Sequence, residues 1–184
     1  MQKLRYLAYD FKMPPLERKG HLIVHAFEKG RILVQEPVKP TGRDGSRLFL
    51  MERPANQEEE VKASGSGLLQ RKLSSFGWML VRKDDERNNG YFEISVKQAE
   101  RSRGYGTVLM NAGARYARDI GLDNLNGLMM FDENIQKRIK FFEELEMWHD
   151  RNEYYIFASV NAPKLNQITF ERNLTAEEVL NSKK

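Results

Sequence analysis

The chain has 184 residues, 40% hydrophobic and 30% charged, which suits one domain with a sizeable core and excludes a disordered chain. It contains no cysteine, which excludes a disulfide scaffold and a thiolate metal site and fits a reducing cytoplasm. The formal net charge of +4 is compatible with an anionic ligand or with nucleic acid and singles out neither.

The opening stretch MQKLRYLAYDF carries charges and no signal-peptide apolar core, and no apolar run approaches membrane-spanning length. KLRYLAYDF and RLFLMER read as strands. LERKGHLIVHAFEKGRILVQE between them allows two readings. Its β-branched runs around Gly30 suggest a hairpin, whereas Leu16, Ile23 and Phe27 allow a helix. ANQEEEVKASGSGLLQRKLSS contains a Gly/Ser break and reads as a loop followed by a short helix.

FGWMLVRKDD (Phe76 to Asp85) and GYFEISVK (Gly90 to Lys97) are apolar, β-rich runs around a polar turn cluster, which predicts a hairpin. On the second strand Phe92, Ile94 and Val96 share one face, and Tyr91, Glu93 and Ser95 the other. Tyr105, Val108, Leu109, Ala112, Tyr116 and Ile120 then recur at helical spacing, with Gly121 where a C-terminal cap belongs. LNGLMMF (Leu125 to Phe131) reads as a buried strand. Strand, helix, strand implies a crossover and parallel pairing. Ile135, Ile139, Phe142 and Leu145 mark a second helix, EYYIFASV and QITFERNL two more strands, and TAEEVLNSKK a short terminal helix with capping-box spacing.

The most informative stretch is RSRGYG, residues 101–106, lying between a strand and a helix. A loop entering a helix presents unpaired N–H groups at the positive end of the helix dipole. Gly104 and Gly106 allow close backbone approach, and Arg101 and Arg103 add charge, so the stretch suits a pyrophosphate or another anion. A basic turn shaped only by geometry would read the same way. The three-glycine spacing of a dinucleotide fingerprint and the Gly-Lys-Ser/Thr of a Walker loop are both missing.

Arg101-Ser102-Arg103-Gly104-Tyr105-Gly106 resembles the acyl-CoA loop, Arg-x-x-Gly-x-Gly, of the GNAT superfamily of N-acyltransferases. The step of five residues from Val96 to Arg101 and the order of the following helix, strand and helix are similar to that family from about Phe76 to Leu174. The resemblance implies an α/β (α+β) fold, a mixed central sheet of about six to seven strands flanked by helices. It implies one domain over 1–184, with its best-matched core at 76–174 and a variable part at 1–75. It implies acetyl-CoA as co-substrate. The CoA pyrophosphate would be held by Arg101, Ser102, Arg103, Gly104, Tyr105, Gly106 and Thr107, the pantetheine arm by Ser95, Val96 and Lys97, and CoA would also meet Asn134. Splayed strands at that point would open a path for the acceptor.

In this family a strand carboxylate often takes the proton of the acceptor amine, and Glu93 is the candidate; a partly exposed, ion-paired glutamate is the plainer reading. Many members also have Tyr-x-x-x-Gly-Phe in the second helix, where the tyrosine protonates the leaving thiolate. Here Phe142, Glu146 and Met147 stand in those places, and phenylalanine has no proton to give. A thiol with a pKa near ~8.5 can be protonated by solvent, and Tyr105, Tyr154 and Tyr155 are alternative donors. His21 and His25 would share a helix face, but no third ligand accompanies them, and no metal site is expected.

Three functions compete. One is N-acetylation of a primary amine on a small molecule or protein. A second is a GNAT-like protein that binds a partner without turnover. A third is a nucleic-acid-directed protein, supported only by the net charge. No membrane association is expected, and the sheet edges typical of the family permit a homodimer.

Overall fold

The computed structural model describes residues 3–7, 23–27, 31–37, 45–52, 75–84, 88–150 and 154–170. Ten strands and two α-helices occur among them: β1 (Lys3–Leu7), β2 (Ile23–Phe27), β3 (Arg31–Pro37), β4 (Gly45–Glu52), β5 (Gly77–Lys83), β6 (Asn89–Val96), α1 (Tyr105–Asp119), β7 (Asn124–Leu128), α2 (Ile135–Glu144), β8 (Trp148–His149), β9 (Tyr155–Ser159) and β10 (Thr169–Phe170). They form one mixed sheet in the order β10-β1-β2-β3-β4-β5-β6-β7-β9-β8. Only β1 with β10 and β6 with β7 are parallel. The helix-flanked mixed sheet is the expected architecture. It runs past six or seven strands because the N-terminal hairpin and two-residue strands join its ends.

The ambiguous stretch before residue 37 is the β2–β3 hairpin, in register from Ile23 with Gln35 to Phe27 with Arg31. Its runs of Ile, Val and Leu fit a pleated surface better than a helix, where β-branched side chains lose rotamer freedom. His25 therefore lies on a strand, and His21 lies outside the described residues. The reading of 55–74 and the terminal helix at 175–184 also fall outside them.

One face of β5 and β6 builds the core with α1. Met79, Val81, Leu109 and Met110 are all fully buried, and Phe92 is nearly so. Four apolar side chains of this size removed from water contribute roughly 1.5–3 kcal/mol each. α2 covers the same face further along, with Phe142 6.1 Å from Phe92 between ring centroids. Asn111 is the buried polar exception on α1. Its Nδ2 donates to the carbonyls of Thr107 (3.0 Å) and Lys164 (3.2 Å), and its Oδ1 accepts from the Ile168 amide (3.1 Å). It ties the helix to the segment leading to β10.

Both helices end in the same hydrogen-bonded turn. In α1 the amides of Gly121 and Leu122 reach the carbonyls of Arg118 and Ala117, and in α2 those of Glu146 and Met147 reach Glu143 and Phe142. This motif needs a left-handed residue after the cap. Gly121 supplies it with φ 77°, and Glu146 is held at φ 58°.

LNGLMMF departs from the buried strand expected. β7 stops at Leu128, which is 62% exposed, and Met130 and Phe131 are 73% and 74% exposed. Alternation explains the first part: Leu125 and Gly127 face the core, while Asn126 and Leu128 face away. After Leu128 the chain leaves the sheet. Met129 turns inward and its amide donates to the Tyr154 carbonyl at 2.9 Å.

Candidate active site

β6 and β7 are neighbours at three positions only: Asn89 with Asn124, Gly90 with Leu125, and Tyr91 with Asn126. β6 continues to Val96 and β7 to Leu128, so the strands part after Tyr91. The Lys97 amide donates to the Phe76 carbonyl, and the Asp84 amide to Asn89. Odd-numbered residues of β6 therefore turn their backbone polar groups to β5, and Phe92, Ile94 and Val96 turn theirs to the parting. The Phe92 carbonyl does face β7, since a side-chain carbon at Gly127 would lie 3.0 Å from it. Of the three residues named for the pantetheine arm, Val96 has its backbone toward the opening. Ser95 and Lys97 point theirs at β5. Ile94, which the sequence reading did not single out, belongs with Val96.

The loop at 101–106 follows directly. Gly104 is the N-cap of α1 with φ 79° and ψ 0°, and Ser102 also has a left-handed backbone, φ 63°. Successive turns of this kind make a concavity of N–H groups. No side chain caps the helix and its first turn holds no acidic residue, so the start of the helix itself carries no negative charge against the positive end of the dipole. Space above Gly104 is open: an added β-carbon would meet nothing within 4 Å.

Gly106 has a different reason to be glycine. A β-carbon there would lie 2.9 Å from Cζ of Phe141, so it lets α1 and α2 pack closely rather than letting a ligand approach. Tyr105 is 2% exposed and stacks on Phe76 at 5.5 Å, which makes its ring a floor beneath the loop. Thr107, half-buried in the first turn of α1, gives its carbonyl to Asn111.

The two arginines are partly engaged. Arg103, itself exposed, lies 3.1 Å from the half-buried Glu100. Arg101 donates through Nε to the Val96 carbonyl at 3.4 Å. It also lies close enough to Asp132 to help hold that carboxyl below its ordinary range; the largest cause is the hydrogen bond from Arg138, followed by that from the Asn134 amide. Asp132 and Arg138 form a two-pronged pair at 2.8 and 2.6 Å, and Arg138 also donates to the Met130 carbonyl at 2.7 Å. Asn134 is the N-cap of α2, so this cluster sets its helix end beside the loop.

Glu93 is exposed, on the face of β6 away from both helices and two residues past the last contact with β7. Phe142 is 3% exposed inside the core. The tyrosines named as alternative donors divide: Tyr105 is buried, Tyr154 stacks on Phe131 at 5.1 Å, and Tyr155 lies on β9 opposite Leu128. Among the described residues no cluster of three or more His, Asp or Glu could hold a metal ion, and no helix is long and apolar enough to cross a membrane.

The chain matches the model of the acetyltransferase (GNAT) family over residues 43–147, more than half its length. It belongs to that family. No curated protein matches it. Among solved structures, a cAMP-binding acyltransferase from Mycobacterium smegmatis has a TM-score of 0.53 at 15% identity, over 87% of this chain and 53% of that one. The chain thus spans about half the length of that protein. A GNAT-family acetyltransferase from Staphylococcus aureus Mu50 has a TM-score of 0.46 at 9% identity, covering 64% of this chain and 68% of that one. A spermidine N-acetyltransferase from Vibrio cholerae, in complex with CoA and spermine, has a TM-score of 0.45 at 10% identity, covering 64% and 67%.

Proposed function

We propose that this chain, a single domain over 1–184, transfers an acetyl group from acetyl-CoA to a primary amine. The observation that carries the reading is the parting of β6 from β7 beside the uncapped start of α1. The backbone amides of residues 101–107 would hold the pyrophosphate, with Asn134 nearby, and Ile94 and Val96 would pair with the pantetheine arm. Family membership supports acyl transfer in general; the acetyl donor and the amine acceptor are this reading's own.

In the reaction the amine nitrogen attacks the thioester carbonyl carbon. A C–N bond forms, the C–S bond breaks, and the thiolate leaves with the electron pair. Glu93, directly or through water, takes the proton lost by nitrogen. Phe142 has no proton to give and is enclosed in the core, so water protonates the thiolate.

The test is a thermal-shift titration with acetyl-CoA, CoA and dephospho-CoA. Ligand at a hundred times its dissociation constant stabilises by about 2.7 kcal/mol. A saturable shift that Gly104→Glu removes supports the cradle, because that side chain enters the open space with the wrong charge. No shift at millimolar CoA overturns it. A shift without thiol release from any amine leaves a CoA-binding protein that does not turn over.

A further inference from the structure

The face of the sheet away from the helices carries a row that crosses four strands. Tyr91 of β6 neighbours Asn126 of β7, Asn126 lies opposite Phe157 of β9, and Phe157 opposite Trp148 of β8. Residues so paired share a face. The next row toward the parting holds Leu128 opposite Tyr155. Trp148 and Leu128 are 58% and 62% exposed, while Tyr91, Tyr155 and Phe157 are half-buried. Within this aromatic strip sits one unmet polar group: Asn126 Oδ1 is buried and receives no hydrogen bond. An unsatisfied buried acceptor costs about 1–3 kcal/mol, which a donor recovers by drawing the Asn126 side chain outward.

Glu93 projects on the same face, two residues along β6 from Tyr91, about 8 Å from Asn126 by strand rise and spacing. It is the one carboxylate on the described strands β6 to β9. Arg82 adjoins Tyr91, and Arg47 lies across Leu80 from Glu93, so the neighbouring strands contribute cations. A polycation gains Glu93 beside the strip and meets the Arg82 guanidinium on the adjoining strand, while Arg47 already has Glu36 across from it. A neutral primary amine has two N–H donors, which match one carboxylate and one amide carbonyl.

We infer that the acceptor is a monoamine bearing an aromatic group, with its ring on the Phe157–Trp148 strip and its nitrogen between Glu93 and Asn126. The inference rests on the acyltransferase reading for the word acceptor. The site itself rests on the row. Asn126 positions the amine, and the strip selects the substituent.

The test uses the full chain and phenethylamine, with spermidine and butylamine as comparisons, following the Trp148 indole signal by NMR. Phenethylamine should shift it saturably and bind at least tenfold more tightly than either comparison. Trp148→Ala, at an exposed position, and Asn126→Leu should each weaken phenethylamine at least fivefold (in the first variant read by saturation transfer) and leave the CoA thermal shift intact. Spermidine binding as well as phenethylamine, or affinities indifferent to both substitutions, overturns the inference. The CoA titration separates the two failures. CoA binding without phenethylamine binding removes this inference alone. Phenethylamine binding without CoA binding leaves the aromatic-amine site standing and removes the transfer reading.

Discussion

Gly106 and Phe141 meet where the two helices pack: a β-carbon on Gly106 would fall 2.9 Å from Cζ of the ring and 3.1 Å from Cε2, so the ring would have to move. Gly106→Ala should therefore cost about 1–3 kcal/mol in overpacking, less the ~0.5–1 kcal/mol that alanine gains over glycine in a helix. Phe141→Leu should relieve part of that cost in the double variant, a coupling that a double-mutant cycle by urea denaturation reads directly. Equal costs of Gly106→Ala with and without the ring would show that the contact is not the cause.

Asn111→Leu should cost about 2–3 kcal/mol. It leaves the Ile168 amide and the Lys164 carbonyl without the partners they have on α1. For a chain of this size that is a fall in Tm of roughly 4–12 °C. Hydrogen exchange at the Ile168 amide should accelerate more than at amides within α1; a uniform change would point to global destabilisation only.

Glu146→Gly should stabilise. The turn that ends α2 places Glu146 at φ 58°, a region that costs an L-residue about 1–2 kcal/mol, partly offset by the greater chain entropy of glycine. The expected net gain is about 0.5–1 kcal/mol, measured as a higher urea midpoint at unchanged slope. Gly121→Ala, at the matching position of α1, should move the midpoint the other way.

Asp132 sets the acid behaviour of the α2 start. The hydrogen bond from Arg138, then that from the Asn134 amide, hold its carboxyl below the ordinary 3.8. A depressed carboxyl contributes stability that is fully present above the unfolded value and is lost as pH falls through the lower folded one. A carbon-detected titration should place the Asp132 midpoint below the ordinary value, and Arg138→Met should raise it. A midpoint indifferent to that substitution would dismiss the pair as the cause.

Much of the site was legible because its parts are local. The loop at 101–106, the hairpin before it and the helix after it each carry their own signal: two glycines, alternating β-rich runs, apolar residues at helical spacing. What escaped notice depends on partners distant in sequence. Gly106 looked like a ligand-contacting glycine until Phe141, 35 residues later, supplied another reason for it. Ile94 gave way to Ser95 and Lys97 because the alternation of backbone groups is fixed by pairing with β5, which side-chain patterning does not report. LNGLMMF reads as a buried strand by composition, but which of its residues face the core is set by its pairing with β9, distant in sequence. The row through Asn126 needs four strands in register, and no single stretch of sequence contains it.

The parting of β6 from β7 also bears on how this sheet meets other extended chains. Unmet backbone groups at the rim of a sheet accept any extended chain and seed aggregation. Here the backbone groups that Ile94 and Val96 turn away from β5 lie in a seam, with strands continuing on both sides. A second polypeptide would need room for its alternating side chains within that seam. A slender guest with amide groups and no side chains, such as the proposed pantetheine arm, needs none.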